Sequence, residues 1–139
     1  MYTFFKTALT ALTVTTAAAA EPLTVTIMSQ NGGGILRAAL FDSAEGYDAN
    51  DFVVGHSIEA TVGENTVVFD DLAAGTYGIA VYLDANSNDE LDTNFLGAPK
   101  EPFGFSNNPK IGVSRPGFDE VTFQITDAAQ SLTITLNGE

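Results

Sequence analysis

Apolar and polar residues alternate along most of this chain, and that period of two constrains the fold more than any other feature. Leu23-Thr24-Val25-Thr26-Ile27-Met28 is the clearest case. A strand sends successive side chains to opposite faces, so this pattern describes a half-buried strand and is wrong for a helix. The same reading predicts strands near 23–28, 35–41, 57–62, 66–70, 76–83, 120–125 and 131–136. Turn clusters lie between them: Asn31-Gly32-Gly33-Gly34, Gly63-Glu64-Asn65, and Asp127-Ala128-Ala129-Gln130. These turns predict hairpins joining the first strand to the second, the third to the fourth, and the last two to each other. Residues 42–51 read as an acidic surface loop. No stretch after Pro22 carries the i, i+3, i+4 apolar spacing of a helix. About seven short strands of this kind imply an all-β fold, an antiparallel β-sandwich. Val25, Ile27, Leu36, Ala38, Leu40, Phe69, Ile79, Val81, Phe123, Ile125 and Ile134 hold same-parity positions along their strands and are expected to form one core.

Residues 1–20 have the composition of a secretory signal peptide, with Lys6 before a short apolar run and Ala18-Ala19-Ala20 as a cleavage site ahead of Glu21. The expected organisation is a signal over 1–20 and a single sandwich domain over 21–139, exported to the periplasm or beyond. The whole chain carries 18 acidic residues against 5 basic ones, a formal charge of -13. Nucleic acid and anionic membrane surfaces need clustered Lys and Arg, so both are poor partners. Absent cysteines exclude disulfides and thiolate chemistry, and the single His56 excludes any site built on two imidazoles.

One stretch carries recognisable chemistry. In Asp84-Ala85-Asn86-Ser87-Asn88-Asp89-Glu90-Leu91-Asp92 an oxygen-bearing side chain stands at every second position after a predicted strand. Asp84, Asn86 and Asn88 match the first, third and fifth positions of a calcium loop; Glu90 falls where the backbone carbonyl is used, and Asp92 at the ninth. Calcium takes six to eight oxygens, and alternation lets a tight curl aim them inward. The twelfth position, normally a bidentate Glu, is Phe95. The competing reading is a hairpin loop whose Asp and Asn side chains cap their own backbone.

The following segment contains Pro99, Pro102 and Pro109, which keep it out of a central strand, together with Phe95, Phe103 and Phe105. It is expected to be pinned beside the Asp84 loop. There Lys100, Glu101, Phe103, Phe105, Ser106 and Asn107 are the candidate ligand-binding residues, or the rings simply cap the open end of the core. Catalysis is poorly supported. Acidic residues suitable for a carboxylate-dependent hydrolase abound, but none stands out as a pair. Ser106 with His56 could be written as part of a triad, yet Ser106 lacks the G-x-S-x-G setting.

Gly75-Thr76-Tyr77, Asp84-x-Asn86-x-Asn88-x-x-x-Asp92, Gly97-x-Pro99-Lys100-Glu101 and Gly104-Phe105-Ser106-Asn107 occur in this order. Together they resemble a family of small exported bacterial proteins, domain-of-unknown-function family 2141. The likeness spans roughly residues 23–136 and implies a secreted β-sandwich with no catalytic activity to carry over. Members usually have His where Leu83 stands, and Gly where Ser87 and Asp89 stand, so an imidazole-based metal or catalytic role does not carry over. The Gly-Thr-Tyr entry also resembles transthyretin-like and carboxypeptidase regulatory-like sandwich modules, an analogy of fold alone, and the expected sandwich is of the transthyretin-like or immunoglobulin-like kind.

Overall fold

A computed structural model describes residues 22–85, 101–112 and 114–138. Within them the element order is β1 (Leu23–Ser29), β2 (Ile35–Phe41), α1 (Ala44–Ala49), β3 (Val54–Glu59), β4 (Gly63–Phe69), β5 (Gly75–Asp84), β6 (Phe103–Phe105), α2 (Phe118–Val121), β7 (Thr122–Ile125) and β8 (Gln130–Thr135). The strands form two sheets. One is three-stranded, in the order β4-β1-β8; the other runs β3-β2-β5, with β6 and β7 both pairing along the far side of β5. All pairings are antiparallel except β1 with β8, which run parallel. The all-β sandwich read from the alternation is therefore the observed architecture.

The expected hairpins are not. β1 and β2 lie in different sheets, as do β3 and β4, and β7 and β8. Each connection arches across the core instead of folding a strand back on its neighbour. Alternation explains the error: it fixes which face of a strand is buried, and two strands facing each other across a core satisfy it as well as two side by side. Leu23, Val25 and Ile27 from β1 thus meet Leu36, Ala38 and Leu40 from β2 within one buried cluster. All the expected core residues are buried except Phe123, which is only half-buried and packs on the rim of that cluster.

Residues 42–51 are not a loop throughout. Ser43 caps α1, its hydroxyl accepting from the Gly46 N–H at 3.0 Å, and Asn50 ends it in the left-handed conformation at φ 57°. Six residues are too few to display a 3.6-residue period, so only the caps announce this helix. The start of the strand expected over 120–125 is taken by α2, where the Glu120 carboxylate accepts from the Gly117 N–H at 2.9 Å. β6 is a short strand in the proline-rich segment, permitted because it lies at the edge of its sheet and begins just after Pro102.

A second apolar cluster covers the outer face of the larger sheet. Phe41, Tyr47, Phe105 and Val121 are buried there, with Phe103, Ile111 and Phe118 packed around them. Tyr47 from α1 stands edge-on to Phe41 at 5.4 Å and donates its hydroxyl to the Pro116 carbonyl at 2.8 Å. Burial pushes its phenol above the usual tyrosine range, while Arg115, 3.8 Å above the ring, pulls the other way. One side of the sandwich is closed. Asn108 donates to the Thr133 carbonyl at 2.9 Å and accepts from the Thr135 N–H at 2.8 Å, so its amide stands in for a strand along β8. Phe103 and Asn137 bridge the same side.

Candidate functional site

β5 places Asp84 by parity. Gly78, Ala80, Tyr82 and Asp84 share the face of the larger sheet opposite the core, whereas Ile79, Val81 and Leu83 face inward. In the β2–β5 register Arg37 stands opposite Tyr82, and in the β2–β3 register it stands opposite Ser57. Arg37 is thereby set on the same outer face as Asp84. Its Nε donates to Asp84 Oδ2 at 3.0 Å and its Nη1 to Ser57 Oγ at 3.0 Å. Asp84 is fully buried, and 24% of the Arg37 side chain is exposed. A carboxylate removed from water in this way requires a charged or hydrogen-bonding partner, and the guanidinium supplies one.

Just beyond Asp84 the chain is clamped to its own return path. The Ala85 N–H donates to Glu101 Oε2 at 2.7 Å, and the Leu83 N–H donates to the Pro102 carbonyl at 2.8 Å. Glu101 is itself buried. The third wall is Gly34, at φ 77°, where an added Cβ would lie 2.8 Å from the Asp84 carbonyl oxygen and 2.9 Å from the Ala85 Cα. Backbone rather than a flexible side chain blocks that position. Gly34→Ala should therefore destabilise the protein by about 2 kcal/mol, from left-handed strain plus crowding. Urea unfolding would check this; a loss below about 0.5 kcal/mol, typical of neutral surface sites, would contradict it.

Of the expected metal ligands, Asp84 is placed in the Arg37 pair; Asn86, Asn88, Glu90 and Asp92 lie outside the described residues, as does Lys100. Among the described residues no three His, Asp or Glu side chains are grouped to hold a metal ion. The expected ligand-binding residues are spread between interior and surface. Phe103 and Phe105 project from β6 with ring centroids 6.0 Å apart, Phe105 buried and Phe103 half-buried. Ser106 is fully buried: its hydroxyl donates to the Val121 carbonyl and accepts from the Ile79 N–H at 2.9 Å. Asn107, left-handed at φ 70°, donates to the carbonyls of Glu120 and Thr122 at 3.3 Å and 2.7 Å. Both residues staple the turn after β6 onto α2 and β7. His56 lies on the inner side of β3 with its ring 4.8 Å from that of Phe69. A nucleophile committed to backbone and an imidazole packed on a core ring do not make a triad.

Arg37 is the charged partner at this position that the sequence reading missed. The signal available was a lone cation inside the apolar strand Ile35–Phe41, at a position of outward parity.

A family model described as "Uncharacterized protein conserved in bacteria (DUF2141)" matches residues 24–133, nearly the whole sandwich. No curated protein and no solved structure matches the chain. The match runs from the first strand through the Asp84 clamp to the middle of β8, and the chain belongs to the bacterial DUF2141 family.

Proposed function

We propose that this chain is an exported, acidic binding or structural module whose 84–92 loop holds calcium, with Asp84, Asn86, Asn88 and Asp92 side chains and the Glu90 carbonyl as ligands. The observation that carries the reading is the clamp at the root of the loop. The bonds from Leu83 to Pro102 and from Ala85 to Glu101 draw residues 85 and 101 together, and the sequence between them holds Asn86, Asn88, Glu90 and Asp92. A calcium site of modest charge gains from ligands held near one another, and a closed root favours that. Export rests on the composition of residues 1–20, and the net charge of -13 favours a cation over an anion as ligand.

Affinity on the order of 10⁻⁴ to 10⁻³ M is expected, as in extracellular modules, because the bidentate closing Glu is missing and Arg37 already neutralises Asp84. Magnesium, which demands a strict octahedron, should compete poorly. Millimolar calcium should raise the melting temperature and a chelator should reverse the rise. Asp92→Ala, which leaves the Arg37–Asp84 pair intact, should abolish the effect, whereas Glu90→Gln should keep most of it. A melting curve indifferent to both calcium and chelator would return the loop to turn chemistry.

A further inference from the structure

The two sheets differ in strand number, three against five. β4, at the edge of the smaller sheet, meets β3 where the Phe69 and His56 rings lie 4.8 Å apart. Inward-facing Val54, His56 and Ile58 of β3 are nonetheless only half-buried, although the inward-facing residues of β2 beside them are fully covered. On this side β4 pairs with β1 alone among the described residues. Apart from the Glu64 carboxylate, β4 lacks the devices that discourage a further neighbour. Its seven residues Gly63–Phe69 run in unbroken register with β1, and it contains no Pro, Lys or Arg. These are the devices by which edge strands are normally protected. The opposite edge, β8, is protected by the Asn108 amide. Exposed apolar side chains also gather along β4, with Val62 70% and Val68 40% exposed.

We propose that the outer edge of β4 accepts an extended, basic segment of another protein as a fourth strand. Backbone hydrogen bonds along β4 would supply the affinity, as in other cases of strand addition. Alternate residues of the added strand would point inward over Val54 and Ile58, so they should be apolar. The remaining ones point outward beside exposed Glu64 and Asp70, so they should be Lys or Arg. The β4-β1-β8 sheet carries no basic residue, which leaves those carboxylates without a cation from their own sheet. A second copy of this chain fits the edge poorly. Its own β4 already spends Val67 and Phe69 in its own core and could not cover β3, and two chains of charge -13 repel.

The test is nuclear magnetic resonance titration of the isotope-labelled protein with a short end-blocked synthetic peptide in which valine alternates with lysine. Submillimolar binding with shifts confined to β4, β1 and the inner residues of β3 is the expected result. A peptide of identical charge with proline at its centre should not bind, since proline removes a ladder donor. Glu64→Lys combined with Asp70→Lys, both exposed, should weaken the valine–lysine peptide about tenfold. Equal binding of the proline peptide would reduce the interaction to bulk charge attraction and overturn the proposal. So would shifts centred elsewhere, an absence of binding, or sedimentation showing that the protein pairs with itself through β4.

Discussion

Replacing Phe69 by alanine should cost the fold about 3–5 kcal/mol, whereas the same truncation at Phe123 should cost about 1–2 kcal/mol. Phe69 has no solvent exposure, ends β4 at the floor of the main core, and supports the His56 ring. Its removal leaves a cavity that neighbours on two sheets would have to fill. Phe123 is half-buried at the rim of the same cluster, so solvent can occupy part of the space it vacates. Equilibrium unfolding in urea, with the slope checked for two-state behaviour, measures both. Equal losses at the two positions would show that the rim is as tightly packed as the centre.

The second large effect is expected at the ion pair. Arg37→Met should cost about 3 kcal/mol, because it leaves the fully buried Asp84 carboxylate without its guanidinium partner. The partial exposure of Arg37 holds the figure at the low end for a broken buried pair. Arg37→Met combined with Asp84→Asn should lose less than Arg37→Met alone, since no buried charge is then abandoned. Ser57→Ala should stay within about 1 kcal/mol, because the exposed hydroxyl can be replaced by water. A single Arg37→Met variant as stable as the parent would mean that the carboxylate is satisfied without the guanidinium.

Asp84 also marks the limit of reading by spacing. Its position among Asn86, Asn88 and Asp92 defines it locally as the first member of a ligand series. The partner that fixes its side chain, Arg37, lies 47 residues away in the chain and beside it only in the folded sheet. Ser106 repeats the lesson. Its neighbours suggest an exposed polar loop, but its hydroxyl completes backbone hydrogen bonding between β5 and α2. Burial parity, by contrast, depends on the strand period alone, and so Val25, Leu36, Ile79 and Ile134 were legible directly. Strand partnership depends on long-range pairing, which is why each anticipated hairpin proved to be an arch. The resemblance to the DUF2141 family was legible because ordered local motifs carried it, from Gly75-Thr76-Tyr77 to Gly104-Phe105-Ser106-Asn107, all inside the matched residues 24–133.

The parallel pairing of β1 with β8 governs the order in which this molecule can be assembled. β1 lies in the middle of its sheet, between a strand about forty residues later and another beginning at Gln130. The first described strand therefore waits for the last before its sheet is complete. Little of the sandwich can close while the chain is partial, and ring closure over most of the sequence precedes the contacts that reward it. Such a topology folds late and as a unit, on the slow millisecond-to-second scale of proteins dominated by distant strand pairings. The same register that makes the finished sandwich cohesive keeps the unfinished one open.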